Sequence, residues 1–333
     1  MVDKFVHQPT TNNQQKTMSN SRKKIVALAG GVGGAKLADG LAKGVDADLT
    51  VIVNTGDDFS LYGLHISPDV DTVMYTLAGL ANTETGWGLA GDTFQNFAMR
   101  EKYGQAPWFR IGDLDMATHV LRSELLAQGK SLSQTTAMLA GSLGVAAAIL
   151  PMTNDRVRTM VETPDGVLPF QEYFVKQRWQ PVAKAIRFDG IEKAVPAPGV
   201  LEAIGAADLI VFCPSNPYLS LDPILNLRGL REALRNARAK IAAVSPIVGG
   251  EAIKGPAAKI MRELGIEPSP VAVARHYADL LDVFVLDGLD AEHAPAIDAL
   301  GMRTLVTNTI MRSVEDRVEL GCKIFKRMMD DRP

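Results

Sequence analysis

Cysteine is scarce in this 333-residue chain: only Cys213 and Cys322 occur. Two thiols so far apart build neither a disulfide framework nor a zinc-ligand spacing, and they fit a reducing, cytoplasmic setting. Long apolar runs are missing too; none approaches the ~18 residues of a membrane-spanning helix. Basic charge is not in excess. The 35 Lys and Arg against 38 Asp and Glu leave a net charge of −3, which gives no electrostatic case for nucleic acid. Residues 1–23, rich in Gln, Asn, Thr and Ser, lack the apolar segment of a secretory signal and read as a disordered tail. No nucleophile with an adjacent base is visible. An apolar content of 47% is ample for a core, and the length suits one large α/β domain, residues 24–333, carrying an insertion.

The stretch from Asn54 to Tyr75 stands out against these absences. It holds Asp57, Asp58, Asp69 and Asp71, with no Lys or Arg between them. Phe59, Leu61, Tyr62, Leu64 and Ile66 punctuate it, so it reads as a long structured loop rather than a disordered one. Carboxylates gathered without basic partners suit a hard cation such as Mg²⁺, held by oxygen ligands and substrate phosphates. The plain alternative is capping, with Asp69 opening a helix over about Val70–Leu80.

Lys24–Ala29 reads as a buried strand running into Gly30-Gly31-Val32-Gly33-Gly34-Ala35-Lys36 and then a helix. Strand, glycine loop and helix present backbone N–H groups to a phosphate. Lys36 stands where the dinucleotide fingerprint needs its last glycine, and Ala35 and Leu37 flank the lysine where Walker A needs Gly and Ser/Thr. The loop is therefore a phosphate-site candidate of neither standard kind, or simply a tight turn. Leu49–Val53 is a second strand that delivers Asn54 and the acidic loop to the same sheet edge. Asp208–Cys213 ends likewise in Pro214-Ser215-Asn216-Pro217, and Lys240–Val244 in Ser245–Gly250, with Lys254-Gly255-Pro256 beyond. In open α/β sheets ligands bind outside the strand C-termini. The fold class predicted is α/β, a Rossmann-like, mainly parallel sheet flanked by helices. A mostly helical subdomain, about residues 80–145, is inserted over the strand C-terminal edge, with Asp92 capping one of its helices. A hairpin and short helix follow at about 151–190. Cys213, closing an apolar strand, reads as a buried residue and not a nucleophile. His119 is either functional or an ordinary hydrogen-bonded helix histidine. Phosphate cradles, carboxylates and no covalent nucleophile suit phosphoryl or nucleotidyl transfer.

A resemblance sharpens this. GGVGGAK (30–36), NTGDD (54–58), SPDVDTVMY (67–75), GWGLAGDT (86–93), RIGDLDMATH (110–119), ILPM (149–152), CPSNP (213–217), SPIVGG (245–250), KGP (254–256) and VTNTIM (306–311) occur in order. Together they resemble the CofD/FbiA family, the 2-phospho-L-lactate or phosphoenolpyruvate transferases of coenzyme F-420 biosynthesis. The resemblance implies that the terminal hydroxyl of a deazaflavin, 7,8-didemethyl-8-hydroxy-5-deazariboflavin, attacks a GMP-activated phospho-acid and releases GMP. It implies Mg²⁺ as cofactor and a homodimer. On that basis Asp57, Asp58, Asp69 and Asp71 are expected to bind the metal, with Asp57, Asp58 and Asp71 catalytic. Asp71, Arg110, Trp87 and His119 are expected on the deazaflavin. Gly30, Gly31, Gly33, Gly34, Ala35, Lys36, Asn54, Ser215, Asn216, Ser245 and Lys254 are expected on the nucleotide and diphosphate. Asp71→Ala is expected to remove transfer and leave the fold intact. The rivals are an NAD-type oxidoreductase, which the missing third glycine disfavours, and a non-catalytic nucleotide- or deazaflavin-binding module, which has no need of four clustered aspartates.

Overall fold

The seven residues Lys23–Ala29 form β1, and all but the two lysines are buried. A strand apolar on both sides belongs inside a parallel sheet covered by helices on each face. The computed structural model, which describes residues 22–253 and 255–330, shows that arrangement. Residues 1–21 of the expected tail lie outside the described residues. After β1 come α1 (Gly31–Gly44), β2 (Ala47–Val53), β3 (Phe59–Leu61), β4 (Leu64–Ile66), α2 (Pro68–Leu77), α3 (Gln95–Lys102), α4 (Asp113–Ala127) and α5 (Leu132–Ser142). The middle of the chain forms β5 (Ala148–Pro151), β6 (Arg158–Thr163), β7 (Gly166–Pro169), β8 (Ala185–Asp189), α6 (Val200–Ala206), β9 (Leu209–Phe212), α7 (Asp222–Leu225) and α8 (Leu230–Arg235). The last part supplies β10 (Lys240–Val244), β11 (Ile247–Val248), β12 (Glu251–Ala252), α9 (Ala257–Glu263), α10 (Pro270–His276), β13 (Val283–Leu286), α11 (Ala294–Asp298), β14 (Arg303–Val306) and α12 (Val314–Met329).

The main sheet has the order β14-β13-β10-β9-β1-β2-β5, with every neighbouring pair parallel. The chain steps outward from β1 through β2 to β5, crosses to β9, and steps outward again. The order thus reverses between β1 and β9, and the crevice at their C-terminal ends is the natural ligand site. The Rossmann-like expectation holds. The hairpin expected around Asp165-Gly166 is also present, as part of a separate antiparallel sheet β7-β6-β8. Helices seal both faces. At the closest crossing, of α1 with α12, a Cβ on Gly40 would lie 2.0 Å from the carbonyl oxygen of Arg317, so only glycine fits. The buried pair Asp39–Arg317, 3.0 Å apart, locks that crossing.

The helical insertion, α3 to α5, follows α2 and precedes β5, as expected, but it is fastened differently from an ordinary helix pack. α3 buries none of its residues. α4 is inverted: Asp115, His119, Arg122 and Leu125 face inward, while Leu114, Val120 and Leu121 are exposed. Asp92, expected to cap α3, instead accepts hydrogen bonds from the amides of Leu114 (2.8 Å) and Asp115 (3.0 Å) and so caps α4. Asp113 returns the favour for α3, accepting from the amides of Gln95 and Asn96, both at 2.9 Å. Two helix starts meet and exchange caps, a tertiary pairing that local spacing does not encode. Gly112 makes it possible, since a Cβ there would come within 2.0 Å of Asp92 Oδ2. Gly112→Ala is therefore expected to cost about 1–3 kcal/mol, read as a lowered thermal midpoint.

α2 begins at Pro68, earlier than expected, because the fixed φ of proline suits the first helical position. Asp69 accordingly sits inside the first turn. Ser67 takes the cap position, with no side-chain capping bond.

Candidate active site

The C-terminal ends of β1 and β9 are joined by one hydroxyl. Ser215 Oγ accepts from the amide of Gly30 (3.1 Å) and donates to its carbonyl (2.8 Å). Sequence positions 185 apart are thereby tied at the crevice floor. Two glycines show how tightly the loop is held. A Cβ on Gly30 would meet Ser220 Cβ at 2.6 Å and Asp69 Oδ2 at 2.7 Å, and one on Gly33 would meet the carbonyl oxygen of Pro214 at 2.3 Å. The neighbour of Gly33 is backbone and cannot swing away. Gly33→Ala is expected to destabilise the protein by about 1–3 kcal/mol, measured by thermal unfolding with and without nucleotide. Lys36 turns from the loop, its Nζ donating to the carbonyl of Met311 at 2.8 Å.

At the end of β2, Asn54 is fully buried. Its Nδ2 donates to Asp69 Oδ2 (3.0 Å), and its Oδ1 accepts from the amide of Gly56 (2.8 Å). This fixes Asp69 beside the glycine loop. Asp57 is buried, and its Oδ1 has no hydrogen-bond partner. Burial, and then the neighbouring Asp69, push its proton affinity well above the usual carboxylate range. The carboxyl of Asp69 is pushed up to about 6, chiefly by burial, although Asn54 and the amide of Gly31 oppose this. Asp58 is raised in the same direction by burial, with His65 and Ser67 opposing. Its oxygens accept from Ser67 Oγ at 2.8 Å and pair with His65 Nε2 at 2.9 Å.

Asp57, Asp58 and Asp69 therefore form one mutually repelling group against the glycine turn. The unpartnered, buried Asp57 oxygen is a donor of the kind that a hard divalent cation takes up. Asp71 belongs elsewhere. It is ion-paired through both oxygens with Arg122, which is 0% exposed, and its Oδ2 lies 3.7 Å from His119 Nδ1. His119 Nε2 faces Asp115 Oδ2 at 3.4 Å, and Tyr75 donates to Asp115 Oδ1 at 2.7 Å. The imidazole stands between Asp71 and Asp115 with one nitrogen toward each, and the three bring one ligand atom apiece within 4.8 Å of one another, a spacing that could also hold a metal ion.

The remaining expected residues divide. Asn216 Oδ1 caps the turn that follows it, accepting from the amides of Tyr218 (3.0 Å) and Leu219 (3.2 Å), while its buried Nδ2 has no partner. Ser245 is buried and spends its hydroxyl on the carbonyl of Ile247 at 2.7 Å. Arg110 lies over the ring of Phe94, 4.1 Å from its centroid, and is exposed. Trp87 is 41% exposed on the insertion. Neither is drawn into the acidic group. Lys254 lies outside the described residues. Sequence reasoning missed His65, Arg122 and Asp115. A signal existed for His65: Leu61-Tyr62-Gly63-Leu64 is a two-residue hairpin, with positive φ at both Tyr62 and Gly63.

A doubly wound α/β protein with a glycine turn and a buried acidic group at its switch point is of the class that handles phosphorylated ligands. The sequence matches the model of the 2-phospho-L-lactate transferase CofD family over residues 25–318. The chain belongs to that family, the phospho-acid transferases of coenzyme F-420 biosynthesis. A phosphoenolpyruvate transferase of Streptomyces griseus is 47% identical over 88% of this chain and 94% of its own length. A 2-phospho-L-lactate transferase of Methanococcoides burtonii is 41% identical over 90% of this chain and 98% of its own length. A solved Bacillus halodurans protein of the UPF0052 family aligns with a TM-score of 0.61 at 19% identity, covering 91% of this chain and 99% of that chain; the likeness is one of fold. Among the described residues, no helix is long and apolar enough to cross a membrane.

Proposed function

We propose that the protein transfers a phospho-acid, 2-phospholactyl or enolpyruvyl phosphate, from its GMP-activated form to the terminal hydroxyl of 7,8-didemethyl-8-hydroxy-5-deazariboflavin. The acceptor oxygen bonds to the phosphorus that bears the acid, the bond from that phosphorus to GMP breaks, and the hydroxyl proton is released. The observation that carries this reading is the buried, unpartnered oxygen of Asp57 in an acidic group with Asp58 and Asp69 beside the glycine turn. Mg²⁺ held by these carboxylates would neutralise charge developing on the phosphates. The chain's own parts do the rest. The first turn of α1 would offer the diphosphate the backbone N–H groups beyond Gly31, since those of Gly30 and Gly31 are taken by Ser215 and Asp69. The free Nδ2 of Asn216 is assigned to the nucleotide side. Asp57, with its unpartnered oxygen, is assigned to orient the hydroxyl and take its proton. The family resemblance adds a homodimer.

The experiment is incubation with the deazaflavin, Mg²⁺ and each activated acid in turn, followed by mass spectrometry. One phosphodiester product and stoichiometric GMP are expected, and both should vanish in excess chelator. Product formation undiminished by chelator would refute the role given to the carboxylates.

A further inference from the structure

Two consecutive residues of α4 hold one residue of the acidic segment from two sides. Arg122 Nη1 reaches the carbonyl oxygen of His65 at 3.5 Å, and Ser123 Oγ accepts from the amide of His65 at 2.8 Å. Ser123 Oγ in turn donates to the carbonyl of His119, 2.7 Å away. The imidazole of the residue so gripped is the partner of Asp58 at 2.9 Å. Arg122 also carries the bidentate pair with Asp71 on α2 and stands 3.3 Å from His119 Nδ1. One guanidinium thus fixes α2, β4 and its own helix together. α4 has only a small apolar grip of its own, since its inward face is Asp115, His119 and Arg122 with one leucine, Leu125, while its leucines at 114 and 121 point out. This polar clasp adds to Leu125 and to the Tyr75–Asp115 hydrogen bond in attaching α4 to the sheet domain, and the clasp ends on Asp58.

We infer that Arg122 and Ser123 are positioning residues: acting through His65, they fix Asp58 in the acidic group and so couple the helical insertion to the reaction centre. The inference rests on the proposed transfer reaction. A guanidinium fork suits this place where an ammonium does not, because three acceptors in different directions need its planar set of donors. Ser123 sits at partial exposure, so its loss spares the core.

The test uses the whole protein as Ser123→Ala, Ser123→Thr and Arg122→Lys, with two readouts: steady-state kinetics per folded molecule, and calorimetric titration with Mg²⁺ alone. Ser123→Ala is expected to lower kcat about fivefold with the donor KM unchanged, and Ser123→Thr to restore it. Arg122→Lys is expected to weaken Mg²⁺ binding or kcat by roughly 10–100-fold, as loss of an outer support of a metal ligand does. Wild-type kcat and wild-type Mg²⁺ affinity in both Ser123→Ala and Arg122→Lys, with only the melting point lowered, would overturn the positioning role. Absence of transfer in the wild-type protein would instead sink the functional reading. The Mg²⁺ titration would still decide the present inference.

Discussion

Asp69→Asn is expected to remove transfer and yet make the cation-free protein more stable at pH 7. Burial, with the charge of Asp58 adding to it, pushes the carboxyl of Asp69 from an ordinary 3.8 to about 6. The folded state therefore binds a proton there more tightly than the unfolded chain does. Stability from this group is fully present below its ordinary value and is lost as pH rises from about 3.8 to about 6. At ~1.4 kcal/mol per tenfold change in proton affinity, the loss at neutral pH is roughly 3 kcal/mol. Asp57 and Asp58 are raised too and add strain of the same sign. Removing one charge returns much of it, a gain on the order of 5 °C in the melting temperature. Asparagine keeps the shape and an acceptor for Asn54 but supplies no charge to a cation. Turnover should fall roughly 10²–10³-fold or further. Paired calorimetric scans at pH 5 and pH 7, with and without Mg²⁺, check the argument. The wild type should gain from Mg²⁺ chiefly at pH 7, and the variant should gain little. A variant that melts below the wild type at pH 7 without cation would count against this penalty of a buried charge among like charges.

Asp71→Ala should behave in the opposite way. The sequence suggests a variant that is inactive and well folded. The structure does not support that, because Asp71 neutralises an arginine with no exposed surface. Breaking such a pair leaves a buried charge uncompensated and costs about 3–5 kcal/mol, a large share of the ~5–15 kcal/mol that folded domains possess. Asp71→Leu combined with Arg122→Met removes both charges and should recover most of the loss. Denaturant titrations of the two single variants and the double variant measure the coupling. Inactivity of Asp71→Ala alone then reports on folding as much as on chemistry.

The sheet and its switch point were legible because buried parallel strands announce themselves as apolar runs, Lys24–Ala29 and Asp208–Cys213 being the clearest. The glycine turn and the acidic stretch were legible by composition. What was hidden depended on partners distant in sequence. Nothing near Asp71 shows that Arg122 waits for it, so the four aspartates read alike in the sequence, whereas Asp57, Asp58 and Asp69 repel one another and Asp71 is ion-paired to α4. Asp92 and Asp113 each follow the local grammar of a cap, yet each caps the helix the other precedes. His65 is hidden because the Tyr62-Gly63 hairpin turn lies within what reads as one loop.

The order of the sheet has a consequence for biosynthesis. β1 is made first but lies in the middle, with β2 on one side and β9 on the other. During translation its second flank stays unpaired while the whole helical insertion and the small antiparallel sheet emerge, and Gly30 waits 185 residues for its serine. A nascent chain in that interval presents an apolar, open strand edge. Polypeptides truncated anywhere before Leu209 should consequently be chaperone clients and not half-enzymes.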